Sequence, residues 1–66
     1  MDIVINGQAR QVDDGLCLAD AVTLLAPAAS GVAAAVNGAV VTRARWASVT
    51  LSPGDVVEVV TAVQGG

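Results

Sequence analysis

Sixty-six residues, 55% of them hydrophobic with Trp46 the single aromatic, make one small domain with an aliphatic core; a chain of this size buries only about 60% of the surface it exposes unfolded, and the high apolar content compensates. A net charge of -3, with three scattered arginines (Arg10, Arg43, Arg45) and no lysine, excludes a phosphate-tracking, nucleic-acid-binding surface and suits a partner with a basic face. With no histidine and only Cys17, an internal disulfide, a multi-cysteine metal site and histidine-based catalysis are excluded as well.

Met1 to Ile5 is a short β-branched run with neither the basic region nor the long apolar stretch of a signal peptide. Asn6-Gly7 follows, the strongest two-residue hairpin signal, because both central positions of a type I′ turn need positive φ. Gln8 to Val12 mixes polar and apolar residues as a half-buried returning strand would. Asp13-Asp14-Gly15 is a turn. Beyond it, Leu18, Ala21, Val22 and Leu25 fall at the i, i+3, i+4, i+7 spacing of an amphipathic helix. Asp20 lies in the first turn, where a carboxylate meets the positive end of the helix. Cys17 stands at the N-cap, where its thiol caps poorly, and Pro27 stops the helix soon after Leu25. A lone cysteine between Leu16 and Leu18 is expected to be a small apolar filler rather than a sulfur-handling group. Its solitary presence fits a reducing, cytoplasmic setting.

Ala28 to Gly31 is a loop, and Val32 to Val36 a strand with small side chains. Asn37-Gly38 closes a second hairpin onto Ala39 to Val41. Thr42 to Ala47 forms a helical turn, with Trp46 plugging one end of the core. Val49 to Leu51 is extended, and Ser52-Pro53-Gly54-Asp55 is a tight turn in which Pro pre-sets φ and Gly supplies a positive φ. Val56 to Val63 is the last strand. It leads into Gln64-Gly65-Gly66, a tail nearly without side chains. No segment approaches the roughly 18 apolar residues of a membrane span.

This order predicts an α+β fold: one main helix packed on one face of a mixed four- to five-stranded sheet. Residues 1–63 form the domain and 64–66 a flexible tail. The first and last strands are the longest and most β-branched, so they pair in parallel at the sheet centre. The helical crossover makes that pairing possible, and the result is the β-grasp, or ubiquitin-like, arrangement. In the last strand, Val57 and Val59 then face the helix, while Glu58, Val60 and Ala62 face the other way. Val60 and Ala62 become apolar residues on an uncovered face beside the tail, where a partner would dock. The Gly-Gly ending is either a frayed terminus or a carboxylate on a rod thin enough to thread a narrow channel, since glycine lets backbone pass where a Cβ would clash.

A series of residues resembles one known family along the whole chain: Asn6-Gly7, Gly15, Asn37-Gly38, Val41-Thr42-Arg43, Trp46, Pro53-Gly54-Asp55-Val56-Val57 and Gly65-Gly66. This looks like ThiS, the family of sulfur carriers in thiamine biosynthesis. Cys17 at the helix start and Val60 in place of a bulkier apolar residue are minor departures. The resemblance implies a carrier and not an enzyme. A ThiF-type adenylyltransferase, using ATP and Mg²⁺, would convert the Gly66 carboxylate to an acyl adenylate. Sulfur from a cysteine desulfurase or another persulfide donor would then give a Gly66 thiocarboxylate, and a ThiG-type thiazole synthase would accept that sulfur. The carrier itself would bind no cofactor or metal. Gly65 would give clearance, Gln64 and Val63 would guide the tail by backbone pairing, and Ala62 and Val60 would dock. Three alternatives share the fold: a carrier for another pathway, such as the molybdopterin synthase small subunit or cysteine or tRNA thiolation; a ubiquitin-like modifier; and a plain β-grasp binding module.

Overall fold

Both Asn-Gly pairs occupy the left-handed conformation that type I′ turns demand, with φ of 50° and 79° at Asn6 and Gly7 and of 50° and 82° at Asn37 and Gly38. In the computed structural model, which describes residues 1–26 and 31–61, these turns close two hairpins. One joins β1 (Asp2–Ile5) to β2 (Gln8–Gln11); the other joins β3 (Val32–Val36) to β4 (Ala39–Val41). The last described strand, β5 (Val56–Thr61), lies between them. It runs parallel to β1 and antiparallel to β3, giving a five-stranded mixed sheet of order β2-β1-β5-β3-β4. The parallel pairing of the first and last strands is as the sequence predicts. The described part of the last strand ends at Thr61. The Pro27 helix stop, the 28–30 loop segment and the 62–66 end of the chain lie outside the described residues.

One helix, α1 (Leu18–Leu25), covers one face of the sheet. Leu18, Ala21 and Val22 are buried as their spacing predicts, but Leu25 is 38% exposed and Ala26 is buried in its stead. Leu25 is the last helical residue, so no further turn shields it. The non-helical dihedrals of Ala26 (φ -137°, ψ 80°) turn the chain inward there. Cys17 has extended dihedrals and makes no capping hydrogen bond, and Asp20 stands in the first turn. Leu16 and Leu18 are tied instead to the extended segment at 49–51: Leu18 N donates to Val49 O (2.8 Å) and Leu51 N to Leu16 O (2.9 Å). The helical turn predicted near Trp46 is a 3₁₀ helix, Arg43–Ser48, packed against α1. Trp46 is buried, and its indole N–H donates to Val41 O at 2.9 Å. A buried indole needs such a partner.

The interior holds Ile3, Ile5, Leu18, Val22 and Val57, all fully buried, with Trp46, Leu51 and Val59 around them. Burying each such aliphatic side chain contributes roughly 1.5–3 kcal/mol. The core is thus aliphatic with one aromatic at its margin. Strand β2 departs from expectation. It is an edge strand whose residues are exposed apart from the half-buried Arg10. Ala9 pairs with Val4 on the face away from α1. The helix covers the central strands and leaves this edge open.

The two turn asparagines also grip β5. Asn6 N donates to Val57 O (3.0 Å); its side-chain amide donates to Val59 O (3.1 Å) and accepts from Val59 N (2.8 Å). Asn37 N donates to Val56 O (2.7 Å), and its side-chain oxygen accepts from Val56 N (2.9 Å). Its amide donates to Asp55 Oδ1 at 3.1 Å. A carboxamide carries the same donor and acceptor as a peptide unit, so each side chain continues the backbone ladder past a strand end. Asn6→Ala removes two hydrogen bonds worth about 1 kcal/mol each and places a β-carbon residue at positive φ for about 1 kcal/mol more. The expected loss is about 3 kcal/mol, measured by urea unfolding followed through Trp46 fluorescence, with Asn6→Asp intermediate because it keeps the acceptor.

Candidate functional site: the uncovered sheet face and the end of the chain

Alternation along β5 divides the strand between two environments. Val57 and Val59 enter the core, while Val56, Glu58 and Val60 face away from α1. Val60 is 64% exposed. Register then decides which side chains join them. Ala33 lies opposite Val60, and Ala35 opposite Glu58. Ala35 also lies opposite Val40 on β4, which is 80% exposed. Because β3 offers only methyl groups here, a depression of about 190 Å³ opens between Val40 and Val60, lined by Ala33, Ala34, Ala35 and Glu58.

This surface is apolar with one charge in it. Glu58 is the only ionisable side chain lining the depression. Among the described residues the only ion pair joins the Met1 ammonium to Asp14 at 3.0 Å, elsewhere in the molecule. On the far side of the same face, Val56 lies opposite Val4, and Asp2 is held by Gln11 Nε2 at 2.7 Å. No group of three or more His, Cys, Asp or Glu among the described residues could hold a metal ion. The arrangement offers no nucleophile, base or metal cradle, and its chemistry is that of a contact surface.

Of the residues singled out in the sequence, the structure places Val60 on this face beside Val40 and the β3 alanines. Ala62, Val63, Gln64, Gly65 and Gly66 lie outside the described residues. They follow directly on β5, whose Thr61 pairs with Val32 at the beginning of β3. Sequence reasoning missed Val40, Ala33 and Ala35. Part of the signal was present: a two-residue Asn37-Gly38 loop forces Val36 opposite Ala39 and therefore Ala35 opposite Val40. The register of β3 on β5, which brings in Glu58 and Val60, has no local signal.

The fold and this face have counterparts in known proteins. A family model described as "ThiS family" matches residues 3–66. A crystal structure of the thiamine biosynthesis protein ThiS from Geobacter metallireducens superposes with a TM-score of 0.80 at 29% identity, covering 100% of both chains. A solution NMR structure of a thiamine biosynthesis protein from Geobacter metallireducens gives a TM-score of 0.79 at 29% identity, covering 100% of this chain and 88% of that one. No curated protein sequence matches significantly.

Cys17 is half-buried at the N-terminus of α1, on the layer opposite the uncovered face. Its extended dihedrals are those of an N-cap whose side chain makes no cap bond. A serine there can accept from the first-turn amides. Cys17→Ser is therefore expected to raise stability by about 0.5–1 kcal/mol and to leave sulfur loading of the chain unchanged, checked by thermal unfolding and intact mass.

Proposed function

The chain belongs to the ThiS family, the small sulfur carriers of thiamine biosynthesis, and on that premise we propose that it carries sulfur as a thiocarboxylate on Gly66. A carboxylate is a poor electrophile, because its charge repels nucleophiles and oxide is a bad leaving group. A ThiF-type adenylyltransferase with Mg-ATP remedies this: a carboxylate oxygen attacks the α-phosphorus, pyrophosphate leaves, and the Gly66 carbonyl becomes an acyl adenylate. The terminal sulfur of a persulfide, supplied by a cysteine desulfurase or another donor, attacks that carbonyl and AMP leaves. A thiol then cleaves the sulfur–sulfur bond of the acyl disulfide, leaving the thiocarboxylate. This soft nucleophile passes its sulfur to a ThiG-type thiazole synthase, and the carrier returns as carboxylate. The role is that of a co-substrate, cytoplasmic like its partners, and the chain itself supplies no catalytic group.

The observation that carries this reading is the position of β5. It is held on both sides, by β1 and β3, and leads straight into the residues that end in Gly65-Gly66. A firmly anchored strand feeding a stretch with almost no side chains fits a domain that presents its end to an enzyme channel. Residues 64–66 act as the tail, with Gly65 giving clearance and Gln64 and Val63 guiding the backbone. Val60 and Ala62 dock beside it. The absence of lysine from the sequence keeps the chain from capturing its own activated carbonyl. Among the described residues no helix is long and apolar enough to cross a membrane.

Incubation with a ThiF-type adenylyltransferase, Mg-ATP, a cysteine desulfurase and cysteine is expected to add the mass that replaces one oxygen by sulfur, mapped to Gly66. No gain, with an adenylyltransferase competent on another carrier, overturns the proposal. One residue appended after Gly66 is expected to abolish the gain while leaving the unfolding curve unchanged.

A further inference from the structure

The uncovered face has a composition that restricts what can cover it. Val40 and Val60 stand out from it at 80% and 64% exposure, with Ala33 and Ala35 between them. Such a surface favours an apolar partner. Yet Glu58 projects from the same face, next to Ala35 across the strands and between Val56 and Val60 along β5. A wholly apolar partner would strip water from this carboxylate and give nothing in return, which is strongly unfavourable.

A second copy of this chain meets the same obstacle in a worse form. A two-fold pairing brings each surface patch against itself, so two Glu58 carboxylates would share one apolar interface. The occupant that satisfies both features is an apolar surface carrying one cation. Arginine suits best, since its guanidinium is weakly hydrated and can bind a carboxylate through two parallel hydrogen bonds. The net charge of -3 favours approach of such a surface.

We propose that this face docks the adenylyltransferase that charges Gly66, through an apolar contact on Val40 and Val60 and one arginine or lysine of that enzyme paired with Glu58. The inference rests on the sulfur-carrier reading and adds to it the chemistry of the partner's surface. Continuity supports the choice of occupant: Glu58 and Val60 belong to the strand that leads into the chain end, so an enzyme seated here has Gly66 within a few residues' reach. Glu58 selects the partner and keeps copies of the carrier apart.

Calorimetric titration of the full chain into a purified ThiF-type adenylyltransferase tests this, with sulfur loading followed by intact mass. Glu58→Gln is expected to weaken binding by roughly tenfold or more, the value of a charged hydrogen bond. Glu58→Arg, which sets like charges against each other, is expected to weaken it by about a hundredfold or more. Asp20→Asn, a charge change on the helix layer, is expected to leave Kd unchanged. Trp46 fluorescence and the urea midpoint verify that the Glu58 variants fold, as expected for an exposed side chain. If the parent is loaded with sulfur and Glu58→Arg binds within a factor of two of it, this inference fails and the carrier reading stands. If the parent is not loaded, both fail. A parent that sediments as a dimer, with dimerisation abolished by Val60→Asp, overturns the choice of occupant in favour of a second copy.

Discussion

The last strand is held from both sides, and most of the molecule depends on that clasp. Strand β5 takes its backbone partners from β1 and β3, and at each flank an asparagine from a hairpin turn adds its side-chain amide to the ladder. Asn6 and Asn37 are therefore used twice. Their tolerance of positive φ closes the turns, and their carboxamides continue the sheet where the strands have run out. Residues more than fifty positions apart, Asn6 and Val59, are joined by two hydrogen bonds. That long-range tie assembles the two hairpins into one sheet.

The clasp also sets the division of labour between the two faces. With β5 central, its alternate residues Val57 and Val59 meet α1 and complete the core, and the residues between them cannot do so. A single eight-residue helix covers one face, and a 66-residue chain has no second layer for the other. The valines and alanines left there are too apolar to be a mere solvated surface and too flat to be a catalytic pocket. Glu58 gives this surface a polarity that a core does not need. The same strand that supplies the core thus supplies the contact face, and its continuation is the stretch on which the carrier's chemistry is proposed to occur.

A carrier has physical requirements unlike those of an enzyme. It needs a rigid base, a recognisable surface and a reactive group that protrudes from both. Here rigidity comes from pairing on both edges of β5 and from the turn at 52–55, where Gly54 N donates to Asp2 O (2.7 Å) and the Asp55 carboxylate accepts from Ser52 N (2.8 Å). Recognition is the task of the uncovered face. The half-buried Cys17, although the only sulfur nucleophile in the chain, lies on the other layer and has no part in this arrangement.

The amino-acid sequence by itself determined the local elements. Asn-Gly pairs, the spacing of Leu18, Ala21 and Val22, and the Ser52-Pro53-Gly54-Asp55 turn each act over a few residues, through φ preference and side-chain periodicity, so they were legible without coordinates. The parallel pairing of the first and last strands was legible too, because a helical crossover and two long β-branched runs leave few alternatives. Alternation placed Val60 on the uncovered face. What only the tertiary structure decided is how elements distant in sequence meet. The exposure of Leu25 and burial of Ala26 depend on where the core layer ends, and the openness of β2 depends on which strands the helix reaches. The union of Glu58 and Val60 with Ala33, Ala35 and Val40 depends on the β3–β5 register. Register between non-neighbouring strands is set by the packing of the whole sheet against one helix, and no local dihedral preference encodes it.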